Sequence, residues 1–395
     1  MNNKTLSITV LADAYPAPGR MKLVFVQQLV HAMIDQGVKV TVVAWQSLTH
    51  ALVHKEKLLP KYSIAKTDSG DEYEIYRPYT LSTGNNELLK GVVQRYNRNA
   101  VVSVLKRIKS DVLYCHFWSS AFPVYEYALK KKLPLFVACG EGDDALEHMV
   151  DTTPKESLER LIQAVSGVIS VSTENKRKCL GYGLVKSENI EVFPNCVNTD
   201  IFHQMDVSAQ KKSLGIDDED FVISFVGGFI PRKGPDRIAQ AIKQLNDPHI
   251  KVMFIGKAFP GYTYEFDCPG IIHKGPLDHD LLPQYVNCSN VFVMPTQKEG
   301  CCNAIVEALA MGLPVISSDG SFNDDILDEK NSIRIDPNDV DAIAAAIKIL
   351  KDNPQICESM SAYSLSRHNR YTIGGRAKRI LEFISSRKQQ LTIDV

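Results

Sequence analysis

The chain of 395 residues lacks the features that would set it apart from ordinary globular proteins. No charge sign dominates: 45 Lys and Arg against 46 Asp and Glu give a formal net charge of -1, so nothing global attracts nucleic acid. No apolar run reaches the roughly 18 to 20 residues that a membrane-spanning helix needs. The nine cysteines include no CxxC pair and no regular ladder, which points to a reducing compartment rather than a disulfide framework. The opening "MNNKTLSITVLADAYPAPGR" has a short apolar run broken by Asp13 and lacks the flank and cleavage site of a signal peptide, so a cytoplasmic location is expected. Walker spacing, a GxSxG elbow and a Cys/His signature are all missing. Cys301 and Cys302 are adjacent, with no histidine at ligand spacing, so no metal site is expected. Low-complexity tracts and short-period repeats are also absent.

What is present is an alternation of short apolar runs with longer amphipathic ones. The first half offers "LSITVLAD", "VKVTVVAW", "DVLYCHF", "LPLFVACG", "VSGVISVS" and "IEVFPNCV" as strands, with helical patterns over Val24 to Gln36, Asn86 to Lys109 and Ser119 to Lys131. The second half repeats the rhythm in "FVISFVGGF", "IKVMFIGK", "IIHKGPL", "NVFVMPT", "LPVISSD" and "NSIRIDP". Apolar strands without strict alternation, each followed by a helix, indicate parallel sheets covered on both faces. The α/β reading is therefore two doubly wound, Rossmann-like domains, divided within the polar stretch Phe202 to Asp220. Boundaries of 1–203 and 204–373 follow. Ligands of such sheets sit beyond the carboxyl ends of the strands, so a cleft between the domains is the expected site.

Two stretches carry candidate chemistry. In "EGCCNAIVEALAMGLPVIS", Glu299 lies in a loop, Asn303 is the expected N-cap, and Glu307 falls about one turn inside an apolar helix ended by Gly312 and Pro314. Eight helical residues span at most about 12 Å, which suits two ends of one extended ligand better than a shared proton. The amides of Gly300, Cys301, Cys302 and Asn303 lie between the two acids as an anion site. The plain alternative leaves Glu307 pointing to solvent and Glu299 merely favouring the helix end. In "FVISFVGGFIPRKGPDRIAQAI", a strand runs into Gly227 and Gly228 and then Arg232 and Lys233, a pattern that suits phosphate oxygens but also describes a solvated basic turn.

Other signals are weaker. Gly140-x-Gly142-x-x-Ala145 matches a dinucleotide fingerprint, but Glu141, Asp143 and Asp144 would set carboxylates where a pyrophosphate needs positive potential. It reads as an acidic loop facing the cleft or, at least as well for Asp143 and Asp144, as an acidic helix start that the dipole favours. His116 ends a strand, where a single histidine is more often structural than catalytic. Basic residues between Lys90 and Lys109, at Lys130 to Lys132 and from Arg367 to Lys388 read as solvated helix faces, with an anionic membrane surface as the sharper alternative.

These stretches resemble a retaining glycosyltransferase of the GT-B fold, family 4. "EGCCNAIVEALAMGLPVISSD" is similar to that family's E-x7-E segment, and "FVGGFIPRKGPDRI" to its diphosphate-binding strand, loop and helix. "EVFPNCVNTDIF" resembles the segment that closes the first domain, and "DVLYCHF" and the start "LADAYPAPGR...LVHAMIDQGVKVTVV" resemble the first-domain core. The resemblance implies that Glu307 accepts the nucleotide ribose hydroxyls and Glu299 holds donor-sugar hydroxyls. Arg232, Lys233 and the amides from Gly300 to Asn303 would carry the diphosphate. Gly19 would approach it from the first domain, Gly275, Pro276 and Leu277 would border the base, and the segment from Gly374 to 395 would cross back to the first domain. A UDP- or GDP-sugar donor, a glycan or lipid-linked acceptor and surface polysaccharide synthesis are implied, with no metal and no cofactor.

Three departures stand out. Relatives often carry an arginine directly after the glycine matching Gly228, so here the guanidinium has to come from Arg232. Near Gly140 and Glu141 relatives often have His-Gly, which makes Glu141 a candidate for contact with the donor sugar. Ala17-Pro18-Gly19 stands where two adjacent glycines are common. The competing readings are a nucleotide-sugar epimerase on the same fold and a non-catalytic sugar-nucleotide-binding protein.

Overall fold

A computed structural model describes residues 5–17, 23–82, 87–141, 143–258 and 263–393. The chain divides into two compact units, Met1–Phe193 with Arg376–Val395, and Pro194–Gly375.

The first unit is built on an eight-stranded sheet. Its strands are β1 (Ser7–Ala12), β2 (Lys39–Ala44), β4 (Tyr62–Lys66), β5 (Glu72–Tyr76), β7 (Val112–His116), β8 (Leu135–Cys139), β9 (Val165–Ser170) and β10 (Ile190–Val192). Two short strands, β3 (Gln46–Ser47) and β6 (Tyr79–Thr80), pair separately. The sheet order is β10-β9-β8-β7-β1-β2-β5-β4, and only the β4–β5 pair is antiparallel. Strand order reverses between β1 and β7, so a crevice is expected at their carboxyl ends. β7 and β8 are buried along their whole length, as strands covered on both faces must be.

The edge pair β4 and β5 was not among the strands expected from sequence. Its residues alternate polar and apolar, "YSIAK" and "EYEIY", because this edge is only half covered. The expected helices form as Val24–Asp35, Glu87–Leu105 and Tyr125–Lys131, the last preceded by a short 3-10 turn at Trp118–Ser120.

The second unit has six parallel strands: β11 (Phe221–Val226), β12 (Ile250–Ile255), β13 (Ile271–Gly275), β14 (Val291–Met294), β15 (Val315–Ser318) and β16 (Ser332–Ile335). Their order is β13-β12-β11-β14-β15-β16, with the reversal between β11 and β14.

The division between units falls at Phe193, ahead of the expected 203. Val197 and Phe202 are buried in the core of the second unit, and Val197 exchanges backbone bonds with Tyr371 and Ile373. The polar stretch that suggested a linker therefore lies inside this unit. The final helix, Ile373–Ile393, packs on the first sheet from Arg376 onward, with Ala377, Ile380 and Ile384 fully buried. Phe383 meets Phe136 and Phe193 at ring separations of 6.0 and 5.7 Å. Arg376 Nε donates to the Phe193 carbonyl at 3.2 Å. Among the described residues no helix is long and apolar enough to cross a membrane.

The seat for that helix needs a glycine. A Cβ on Gly167 would lie 2.8 Å from the Phe136 ring and 3.1 Å from the Phe383 ring. Gly167→Ala is expected to destabilise the protein by about 1–3 kcal/mol through overpacking. Urea denaturation checks this, and an unchanged midpoint would mean the two rings yield freely.

Candidate functional site

The candidate site of the second unit grows from the strand-order reversal. Beyond the carboxyl ends of β11, β12 and β13, glycines let the backbones approach. Gly227 N–H donates to Ile255 O and Gly256 N–H to Gly275 O, both at 2.9 Å. Gly256 has φ +148°, and a Cβ there would sit 1.9 Å from the Gly227 carbonyl oxygen, so no other residue fits. Gly228 continues this loop. Gly275 ends β13 with open space beside it, leading into Pro276 and the half-buried Leu277.

The loops after β11 and β14 are bound to one another. Arg237, on the helix Pro235–Leu245, is nearly buried and donates to Pro231 O and Pro295 O, each at 2.8 Å. Gln297 N–H donates to Arg232 O at 2.9 Å. This bracket sets the side chains that carry charge. Glu299 Oε1 accepts from Arg232 Nη1 at 3.0 Å and from Thr296 Oγ1 at 2.9 Å, and it forms a close ion pair with Lys233. The Arg232 guanidinium also donates to Lys298 O. Burial works to lower the Lys233 pKa, but the neighbouring Cys302 and Glu299 outweigh it and hold the ammonium above its ordinary value. Lys233 is therefore a fixed cation at neutral pH.

The next segment presents amides. The helix Asn303–Ala310 is capped by Cys302 rather than by Asn303, and no side-chain bond closes its N-terminus. The expected cap fails because the Asn303 side chain turns elsewhere. Its Oδ1 accepts from Asn195 Nδ2 at 2.8 Å, while the same nitrogen donates to Cys301 O at 3.1 Å. Among the described residues, Gly300, Cys302 and Asn303 donate no amide to a backbone carbonyl. These free donors, at the positive end of a helix and beside two cations, can receive an anion.

Glu307 is half-buried, on the face of the same helix that carries Asn303 and Ala304, while Ile305, Val306, Ala308 and Leu309 on the other face are fully buried. Its carboxyl makes no hydrogen bond or ion pair among the described residues. Burial alone raises its pKa to about 7. A carboxyl kept in this state is suited to accept hydrogen bonds from an incoming ligand.

In the first unit, His116 and Glu141 lie at the ends of the adjacent strands β7 and β8. The His116 ring is buried against Phe25 and Phe117, at 5.3 and 4.5 Å, with no partner for either nitrogen among the described residues. Burial, helped by the Arg376 charge, pushes its pKa down to about 3, so it is neutral at pH 7. Glu141 does not project as a free acid. One oxygen accepts from Trp118 N–H at 2.6 Å and the other from Gly140 N–H at 3.0 Å. Burial raises its pKa, and these backbone bonds oppose the rise. Its carboxylate thereby anchors the loop to two backbone amides. Gly19 lies outside the described residues. No group of three or more His, Cys, Asp or Glu that could hold a metal occurs among the described residues.

Sequence reasoning thus brought Arg232, Lys233 and Glu299 to one point. It missed Asn195, Thr296 and Arg237, which position them. Arg237 had a signal in hindsight: an arginine three residues after Gly234 on a helix whose buried neighbours are Ile238 and Ala239.

Comparison with known proteins agrees with this arrangement. Residues 24–201 match Glycosyltransferase Family 4, and residues 206–367 match Glycosyl transferases group 1. The putative teichuronic acid biosynthesis glycosyltransferase TuaC of Bacillus subtilis (strain 168) is 24% identical over 361 residues, covering 87% of this chain and 88% of that protein. The sucrose-phosphate synthase of Thermosynechococcus elongatus superposes with a TM-score of 0.74 at 15% identity, covering 99% of this chain and 100% of that one. HepE of Anabaena, solved with UDP and glucose, gives 0.70 at 15% identity, with 96% and 100% covered. The two matched families follow one another along the chain across both sheets, and the protein belongs to the family 4 glycosyltransferases of the GT-B fold.

Proposed function

We propose that this glycosyltransferase moves a sugar from a nucleoside diphosphate donor onto a glycan or lipid-linked acceptor, with retention of configuration, in surface polysaccharide synthesis. The observation that carries the reading is the meeting of Arg232, Lys233 and Glu299 beside the open amides at the start of the helix Asn303–Ala310. The assignment of TuaC to teichuronic acid biosynthesis supports the pathway class, and the UDP and glucose held by HepE support a uridine donor.

Charge development sets the roles. As the bond from the anomeric carbon to the diphosphate breaks, its electron pair stays on the departing oxygen. Arg232, Lys233 and the amides of Gly300 to Asn303 stabilise that oxygen, and no divalent ion is needed for this. Glu299 neutralises the two cations before the donor arrives and holds the donor sugar afterwards. The acceptor hydroxyl oxygen bonds to the anomeric carbon on the face the diphosphate leaves, and its proton passes to a phosphate oxygen. Glu307 accepts the ribose hydroxyls, while Gly275, Pro276 and Leu277 border the base.

Arg232→Ala is expected to lower kcat about a hundredfold to a thousandfold. Glu307→Ala should weaken UDP binding about tenfold or more, the worth of a hydrogen bond to a charged group. Glu299→Ala should instead retain UDP affinity and lose turnover. Calorimetric titration and steady-state kinetics separate these effects, and wild-type values in both glutamate variants would refute the assignment. Full activity in excess chelator is also expected, and complete loss there would overturn the metal-free account. Donor loss without an acceptor would mark an epimerase, and binding without turnover a non-catalytic protein.

Glu307 also ties stability to pH. Its folded pKa is raised from 4.5 to about 7, so ionisation costs folding energy that is absent below 4.5 and complete above about 7. Glu307→Gln removes that cost. The variant should match wild type at pH 4 and exceed it at pH 8 by up to about 3 kcal/mol. Denaturant titrations at the two pH values check the sign, and equal differences at both would mean the carboxyl ionises freely.

A further inference from the structure

Asn195 reaches the start of the helix Asn303–Ala310 from 106 residues away in sequence. Its Nδ2 donates to Cys301 O at 3.1 Å and to Asn303 Oδ1 at 2.8 Å. A carbonyl oxygen only accepts, so the Asn195 atom facing Cys301 is the amide nitrogen, and the Asn303 side chain turns its oxygen toward the same atom. We propose that Asn195 is a positioning residue for the diphosphate. By holding these two oxygens on its own side, it leaves the Cys302 N–H and the Asn303 side-chain nitrogen as aimed donors to phosphate oxygens. The proposal rests on the glycosyltransferase reading and adds the residue that orients its anion site.

Peptide geometry aims the first donor. The Cys301 carbonyl and the Cys302 N–H belong to one planar trans unit, so they point in opposite directions. A bond that fixes the carbonyl therefore fixes the N–H as well. That N–H has no acceptor among the described residues, and it belongs to the N-cap, at the positive end of the helix. The Lys233 ammonium and the Cys302 thiol each shift the other's protonation, which puts a cation beside the same residue. The amide plane of Asn303 aims the second donor. With Oδ1 turned to Asn195, Nδ2 is left facing the other way, and no hydrogen bond occupies it among the described residues.

Asn195 can hold this position because its own backbone is clamped. It follows Pro194, the residue at which the second unit begins. On one side, Arg376 Nε holds the Phe193 carbonyl at 3.2 Å. On the other, the Cys196 thiol donates to Arg370 O at 3.3 Å. Val197 N–H donates to Tyr371 O at 2.8 Å, and Val197 O accepts from Ile373 N–H at 2.9 Å. None of these bonds uses the Asn195 side chain. A short side chain on a fixed backbone loses little freedom when it makes its two bonds. Its removal leaves the clamp in place, so a substitution here reads positioning and not folding.

The test uses Asn195→Ala and Asn195→Asp in the full chain. Alanine removes the donor, whereas aspartate keeps the shape but presents only oxygens to two oxygens. Calorimetry measures the affinity for UDP directly and that for uridine by displacement of UDP, and urea denaturation checks the fold. Both variants should unfold near the wild-type midpoint, bind UDP about tenfold more weakly and bind uridine as the wild type does. The uridine titration separates positioning from folding damage, which weakens both ligands together. Equal losses for UDP and uridine, unchanged UDP affinity in either variant, or rescue by aspartate, the mark of a space-filling role, would overturn the proposal. A wild-type chain that does not bind UDP defeats the donor assignment, whereas UDP binding untouched by the substitutions defeats this inference alone.

Discussion

Two cations from one loop share a carboxylate from another, and the reversal of strand order between β11 and β14 is what lets them meet. In a parallel sheet, neighbouring loops on the same side of the reversal are covered by the same layer of helices. At the reversal the chain leaves to opposite faces, and the gap fills with loop residues. Arg237 closes the gap from below by binding carbonyls of both loops. Glu299 closes it from above through Arg232 and Lys233. With the backbone fixed this way, the cations stay near one another despite their repulsion. On the proposed reading, the carboxylate that pairs with both cations is the group a diphosphate has to displace. Preorganisation here consists of holding the charges ready while a removable partner neutralises them.

Much of this was legible in the sequence, for identifiable reasons. Fully buried parallel strands need continuous apolar residues, so β7, β8, β11 and β14 were visible as runs. Acid and base types at loop positions just after them were equally visible. The pair β4 and β5, at one end of the sheet, escaped because half coverage writes a weaker alternating pattern. The compact units divide ahead of the expected boundary because Val197 and Phe202 anchor the start of that segment in the second core. Asn303 looked like a cap by residue type. Its partner Asn195 lies 108 residues away, and no local rule contains a contact of that range.

The first unit shows the same residue types put to different use by burial. Glu141 sits in a loop after a strand, as Glu299 does, yet it meets backbone amides instead of side-chain cations. Amides are fixed dipoles that an incoming anion cannot draw away as easily as flexible cations. Glu141 therefore stiffens a loop, whereas Glu299 can exchange partners. His116 makes the complementary case. At a strand end it reads as reactive, but desolvation leaves its imidazole neutral across the physiological range.

Glu307 brings these arguments to one balance. A desolvated carboxyl with no hydrogen-bond partner among the described residues makes the folded state less stable whenever it ionises. An alanine or leucine there would pack without that cost, so the acid is explained by something other than stability. The cations cannot be its purpose, because Arg232 and Lys233 already have Glu299. What it lacks is a donor of hydrogen bonds, and a pair of vicinal hydroxyls supplies two without adding charge. The unfavourable desolvation has then already been spent in the folded state, so each hydroxyl contact adds its full worth to binding. The helix that carries this acid also has open amides at its start. On the proposed reading, recognition of the sugar and of the leaving group is set by one short rigid element.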